Sequence, residues 1–207
     1  MNYEYADRAI RDMNRRNLRA FDKLKQLRFD ELNITRSVSK AYADSIRLAK
    51  KRYWQIATDA YIESLVLAGI DRKKAEDMAE DSITEDWILD MLEDYDPVTL
   101  YQFLPEAERK KQRLIEALIA TLDKGQEVEK ALRLWSRQIA HYADQSVVDG
   151  TIDGYKDADV KKVKWVTAED EKVCRECRKL DGKVFDIDKV PPRLHYHCRC
   201  SLLPITD

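Results

Sequence analysis

The sequence predicts a mainly α protein. An elongated helical region over residues 1–150 is followed by a small α+β, cysteine-rich module over residues 151–207. Three observations carry this reading. Apolar residues recur at helical spacing through long stretches before residue 150. Neither Gly nor Pro occurs before Gly69, and every cysteine and two of the three histidines lie beyond Trp165. A chain of 207 residues, 37 % of them charged and with a mean hydropathy of −0.61, can bury one substantial core or a core plus a small module. Its apolar runs fall far short of the ~20 residues a membrane helix needs.

The first helix is expected over 3–29, with Ile10, Met13, Leu18, Phe21 and Leu24 on its apolar face. A longer one is expected from Thr35 to Ala68. Tyr42, Ile46, Ala49, Tyr53, Ile56 and Ala60 alternate there by four and three, and Gly69 supplies a stop. Asp71 is placed to cap a helix over Arg72 to Asp81. Thr84 is placed to cap one carrying Trp87, Ile88, Met91, Leu92 and Tyr95, and Asp96-Pro97 marks a turn. Pro105 suits a first helical position, Leu114, Ile115, Leu118, Ile119 and Leu122 form the next stripe, and Lys124-Gly125 closes it. A final long helix is expected over Gln126 to Asp149, burying Val128, Leu132, Trp135, Ile139, Tyr142 and Val147. The short loop between these last two implies an antiparallel hairpin. His141 lies beside the buried face and reads as structural or surface rather than catalytic.

At Gly150 the character changes, and Gly154 with the charged stretch to Lys164 reads as a connector. Val163, Trp165 and Thr167 alternate as a strand; Val184-Phe185, after Asp181-Gly182, form a second; Leu202, Leu203 and Ile205 form a third. Strands this short need a crosslink to make a stable sheet.

Charge is unevenly distributed. Residues 1–65 hold 14 Lys/Arg against 9 Asp/Glu, and residues 66–104 hold 3 against 11. A basic arm followed by an acidic segment suits docking on protein at least as well as on nucleic acid. The acidic run lacks the spacing of a calcium loop and reads as a solvated face. Met1 to Tyr5 shows no basic stretch leading into an apolar one, so no secretory leader is expected, and cysteines are then expected reduced or metal-bound.

The cysteines supply the crosslink. Cys174 and Cys177 form a C-x-x-C pair, whose two thiolates reach one ion from a single tight turn. Cys198 and Cys200 follow as C-x-C, with His195 and His197 beside them. The reading adopted is one structural zinc held by Cys174 and Cys177, with the other ligands drawn from His195, Cys198 and Cys200. The rival readings are unligated thiols, disulfides within the cluster, a catalytic zinc, and a cysteine nucleophile activated by His195 or His197. Neither the deaminase pattern H-x-E with P-C-x-x-C nor H-E-x-x-H occurs.

Trp165, Thr167, Asp170, Cys174, Cys177, Leu180, Asp181, Gly182, Pro191, Pro192, His195, Cys198, Arg199 and Cys200 stand in an order that resembles the C-terminal domain of phage Mu F-like head morphogenesis proteins. The helical part is similar in style to minor head proteins of tailed phages. Many members carry His-Pro-Asn-Cys where this chain has His195-Tyr196-His197-Cys198, and some lack the first C-x-x-C. The resemblance implies a structural minor capsid protein without enzymatic activity, inside the virion capsid and in host cytoplasm during assembly. Its implied partner is the portal protein, with the major capsid or scaffolding protein as further candidates and no membrane. Ejection with the DNA is a further implication. Two alternatives belong to other classes. One is a non-specific DNA-binding protein whose Arg8, Arg11, Arg15, Arg16, Arg19, Lys23 and Lys25 track phosphates. The other is a toxin-like enzyme carried in the C-terminal module.

Overall fold

The computed structural model describes residues 3–27, 31–96, 98–121, 123–168, 173–192, 195 and 198–205. Two long helices organise them. These are α2 (Glu31–Leu67, 37 residues) and α6 (Lys124–Asp157, 34 residues), which pack on each other along their length. At 1.5 Å per residue each spans about 50 Å or more, which draws the helical part out along one axis. Helix α1 (Glu4–Asp22) lies against both and passes into a 3₁₀ turn, Lys23–Gln26. Helices α3 (Arg72–Ser82), α4 (Glu85–Glu93) and α5 (Phe103–Ala120) complete the layer. No helix among the described residues is long and apolar enough to cross a membrane.

The caps read from sequence are in place. The Asp71 carboxylate accepts from the N–H groups of Lys73 (3.0 Å) and Lys74 (3.3 Å), and Thr84 Oγ1 accepts from Trp87 N–H at 3.3 Å. Gly69, at φ +95°, ends α2 in a Schellman turn, with Ile70 N–H bonding Leu65 C=O and Gly69 N–H bonding Val66 C=O, both at 3.0 Å.

Several expected positions shift. Helix α2 begins four residues earlier than Thr35, and its buried face also takes in Ile34, Val38, Ala57, Tyr61 and Leu65. Asn17 rather than Leu18 faces the core, leaving Leu18 47 % exposed; the buried row of α1 is Ala6, Met13, Asn17 and Phe21. Tyr95, past the end of α4, is exposed. Helix α5 starts at Phe103, so Pro105 is its third residue, still within the first turn where no N–H has an intrahelical partner. Lys124-Gly125 does not close α5. The Asp123 carboxylate accepts from Gln126 N–H at 3.1 Å and makes these residues the first turn of α6. Phe29, Pro97 and Leu122 lie outside the described residues.

The largest difference concerns α6, which runs through Gly150 and Gly154 to Asp157. A Cβ on Gly150 would sit 2.5 Å from the Ala57 carbonyl oxygen, and one on Gly154 would sit 2.0 Å from Ser64 Oγ and 2.7 Å from the Tyr61 carbonyl oxygen. Four residues apart, the two glycines lie on one face of α6 and let the backbones of α2 and α6 touch. They are contact residues rather than breakers.

The core between the helices is an aromatic chain. Phe21, Tyr42, Trp135, Phe103 and Tyr142 follow one another with ring centroids 5.4, 5.1, 5.6 and 4.8 Å apart. Tilted and edge-on pairs at such distances add about 0.5–1.5 kcal/mol each to their area burial. Trp135 Nε1 donates to Ser45 Oγ at 2.7 Å, and Tyr53 OH donates to the Ile139 carbonyl at 3.0 Å, so two buried polar atoms are satisfied.

Beyond α6 the chain forms a three-stranded antiparallel sheet of order β2-β1-β3: β1 (Lys162–Val166), β2 (Val184–Asp186) and β3 (Ser201–Ile205). The three expected strands are present. A short helix α7 (Arg175–Leu180) lies between β1 and β2, and a 3₁₀ turn, Ile187–Lys189, follows β2. Two phenols tie this sheet to the helices. Tyr155 of α6 donates to the Leu202 carbonyl at 3.0 Å, and Tyr3, at the start of α1, donates to the Cys200 carbonyl at 2.8 Å.

Candidate metal centre

The sheet has its own apolar cluster of nine buried residues: Tyr155, Val160, Val163, Trp165, Cys177, Ile187, Cys198, Cys200 and Leu202. A third of them are cysteines, so the small core has little else to hold it. The local fold delivers those sulfurs from two directions. Trp165 exchanges hydrogen bonds with Lys183 (2.9 Å) and Gly182 (2.8 Å), and Thr167 N–H donates to the Asp181 carboxylate at 2.8 Å. These bonds close the segment that carries α7. On the other side, the pairing of Val166 with Ser201 places Cys198 and Cys200 immediately before β3.

Cys174 is the N-cap of α7, its sulfur accepting from Cys177 N–H at 3.3 Å. The Cys177 sulfur lies 3.2 Å from His195 Nε2 and 3.6 Å from the Cys198 sulfur. Two groups of donor atoms, each mutually within 4.8 Å, share Cys177: Cys174, Cys177 and His195, and Cys177, Cys198 and Cys200. All five expected ligands are thus brought together. His197 lies outside the described residues.

These distances discriminate among chemistries. A disulfide requires about 2.05 Å, and none of the four cysteines is disulfide-bonded. A tetrahedron with bonds of ~2.3 Å to sulfur and ~2.0–2.1 Å to nitrogen has edges of about 3.8 Å between sulfurs and about 3.5 Å between sulfur and nitrogen. The observed 3.6 and 3.2 Å lie close to those edges. The void among Cys174, Cys177, His195, Cys198, Arg199 and Cys200 is about 20 Å³. One water-sized sphere takes roughly 10–15 Å³, so the space is of the size of an ion.

Electrostatics gives the same picture. The N–H of Cys177, donating to the Cys174 sulfur, lowers the Cys174 pKa, with the His195 charge contributing. Burial, and then the neighbouring Cys174 and Cys198, push Cys177 up to about 12. Its hydrogen bond with Cys198, and then burial, raise Cys200. Crowded thiols resist ionisation because thiolates repel in a buried site, and a divalent cation removes that cost. The residues present fit a soft, four-coordinate metal such as zinc.

The other histidine has a structural place. His141, fully buried, meets the Asp96 carboxylate through Nε2 at 2.8 Å. Burial alone would raise the Asp96 pKa, but His141, Thr99 N–H and Val98 N–H together hold it down at about 2. Sequence reasoning missed this pair. The Asp-Pro turn signal located Asp96 without saying that its side chain would fold back onto α6.

The basic first helix is partly neutralised within the chain. Arg8 pairs with Glu4, Arg15 and Arg16 with Asp12, and Lys25 with Asp22 and Glu129. Asp12 also receives Arg52 of α2 at 2.7 Å, and these guanidinium hydrogen bonds hold its carboxyl far below the usual range.

Comparison with known proteins gives one match. Residues 111–203 fit the family model described as Phage Mu protein F like protein, an interval running from within α5 to β3 and enclosing the whole cluster. No curated protein and no solved structure matches significantly.

Proposed function

Taking residues 111–203 as a member of the phage Mu protein F like family, we propose that the chain is a structural minor head protein acting in head morphogenesis. In this reading it binds the portal protein inside the assembling capsid. The observation that carries it is the match itself, which runs from the second half of α5 through α6 into β3 and takes in the candidate metal ligands. The centre acts as a crosslink that stabilises the sheet, with zinc as the ion and Cys174, Cys177, His195, Cys198 and Cys200 as the available donors. A void with room for one ion favours this role over catalysis. Four of the seven basic residues at the amino terminus are already ion-paired, which favours protein docking over DNA binding.

The test is assembly with and without the portal protein. Procapsids of each kind are separated by sedimentation and their protein content is read by mass spectrometry. The chain is expected only in portal-containing particles. Equal incorporation without portal would overturn the assignment. A steep loss of DNA affinity with added salt, in place of portal dependence, would favour the DNA reading.

A further inference from the structure

We propose that the ion is bound by Cys174, Cys177, His195 and Cys198, and that Cys200 is not a ligand but the backbone joint between the centre and the amino-terminal helix. This assignment rests on the metal-binding reading above and names the ligands within it.

Cys177 belongs to both donor groups, which makes it the fixed member. Around it stand two halves of equal spacing. Cys174 and Cys177 are three apart at the start of α7, in a turn already closed by the 3.3 Å bond from Cys177 N–H to the Cys174 sulfur. His195 and Cys198 are also three apart, and each contacts the Cys177 sulfur, at 3.2 and 3.6 Å. Such i, i+3 halves let a tight turn present two donors to one ion.

Cys200 is held differently. Its carbonyl accepts the Tyr3 hydroxyl at 2.8 Å, and the next residue, Ser201, opens β3 in register with Val166. Its sulfur already lies within 4.8 Å of the Cys177 and Cys198 sulfurs, so what sets it apart is this pair of backbone ties, whereas Cys198 lies two residues further from the strand. Charge supports an imidazole in the set. Three thiolates and a neutral imidazole leave one net negative charge on a divalent ion, and four thiolates leave two. Burying the second charge is the more costly choice where Cys177, Cys198 and Cys200 are all buried.

The test uses the full chain. X-ray absorption of the zinc-loaded wild type should show three sulfurs at ~2.3 Å and one nitrogen at ~2.0–2.1 Å. Zinc affinity, measured by competition with a chromophoric chelator, is then compared across single variants. Cys198→Ser and His195→Ala should each weaken binding at least about 100-fold, beyond what loss of a supporting contact costs. Cys200→Ser should stay within a few-fold of wild type. Circular dichroism on each variant confirms that the helical part is folded. Four sulfurs in the wild type, or equal losses for Cys200→Ser and Cys198→Ser, would overturn the ligand assignment alone. No zinc on the wild-type chain in native mass spectrometry would overturn the assignment and the metal reading together.

Discussion

Replacing Gly150 by Ala tests whether α2 and α6 are in backbone contact. The added Cβ would lie 2.5 Å from the Ala57 carbonyl oxygen and 3.1 Å from the Ala57 carbonyl carbon and Cα. Carbon and carbonyl oxygen ordinarily sit about 3.3–3.6 Å apart, so the helices must separate by roughly 1 Å. Every atom in the way is main chain, so no rotamer change relieves the clash. Overpacking of this kind costs about 1–3 kcal/mol, and the helix propensity gained over Gly returns about 1 kcal/mol. The expected net loss is up to about 2 kcal/mol, or a Tm lower by as much as roughly 8 °C for a chain of this size. Urea unfolding followed by tryptophan fluorescence measures it. Gly125→Ala is the control: it brings a similar propensity change, and its nearest neighbour is the Asp123 side chain at 3.4 Å. It should be neutral or stabilising by up to about 1 kcal/mol. Equal shifts for the two variants would refute the close contact. Gly154→Ala should also destabilise, and Ser64→Ala should relieve it in part, because Ser64 Oγ is the nearest obstacle at 2.0 Å.

Chelation of the bound metal should unfold the sheet while leaving the α2–α6 pair helical, read as lost amide-exchange protection confined to β1 and β3; full protection in chelator would sink the crosslink. Tyr155→Phe leaves the Leu202 carbonyl without its 3.0 Å donor in a buried setting and should cost about 1–3 kcal/mol, seen in urea unfolding. Asp96 has a folded pKa of about 2 against an ordinary 3.8, so its stabilisation is present above pH ~4 and is lost as pH falls through about 2. That contribution is on the order of 2 kcal/mol. Asp96→Asn should therefore flatten the stability profile across this acid range, and an unchanged slope would argue against the His141 pairing.

Much of the fold was readable because its signals are local. Asp71 and Thr84 cap through their own next turn, Gly69 adopts a left-handed φ at a helix end, and β1 alternates buried with exposed residues. The cysteine cluster was readable because C-x-x-C acts within one turn and H-x-x-C repeats its spacing in the sequence. What escaped was set by partners distant in sequence. Gly150 and Gly154 look like breakers until α2 is laid against them; their spacing of four, opposite Ala57 and Ser64, was the available clue. Asn17 displaced Leu18 because the neighbours of α1, not its composition, fix its rotation. Tyr3 and Tyr155 carry no motif, and their bonds join residues 197 and 47 positions apart. Helix α7 is only six residues long, too short to leave a periodic trace.

The two phenols on β3 have a consequence for behaviour in a crowded assembly. In an antiparallel pair, alternate residues turn their N–H and C=O groups away from the partner. That outward row runs from Cys200, just before β3, through Leu202 and Pro204; the tyrosines reach the first two carbonyls, and the last residue has no N–H to offer. An edge strand with exposed Leu203 and Ile205 would otherwise be a template for strand addition from a neighbouring chain. With two of its three outward carbonyls occupied and one donor missing, it is a poor one. Strand addition between copies at this edge should therefore be disfavoured.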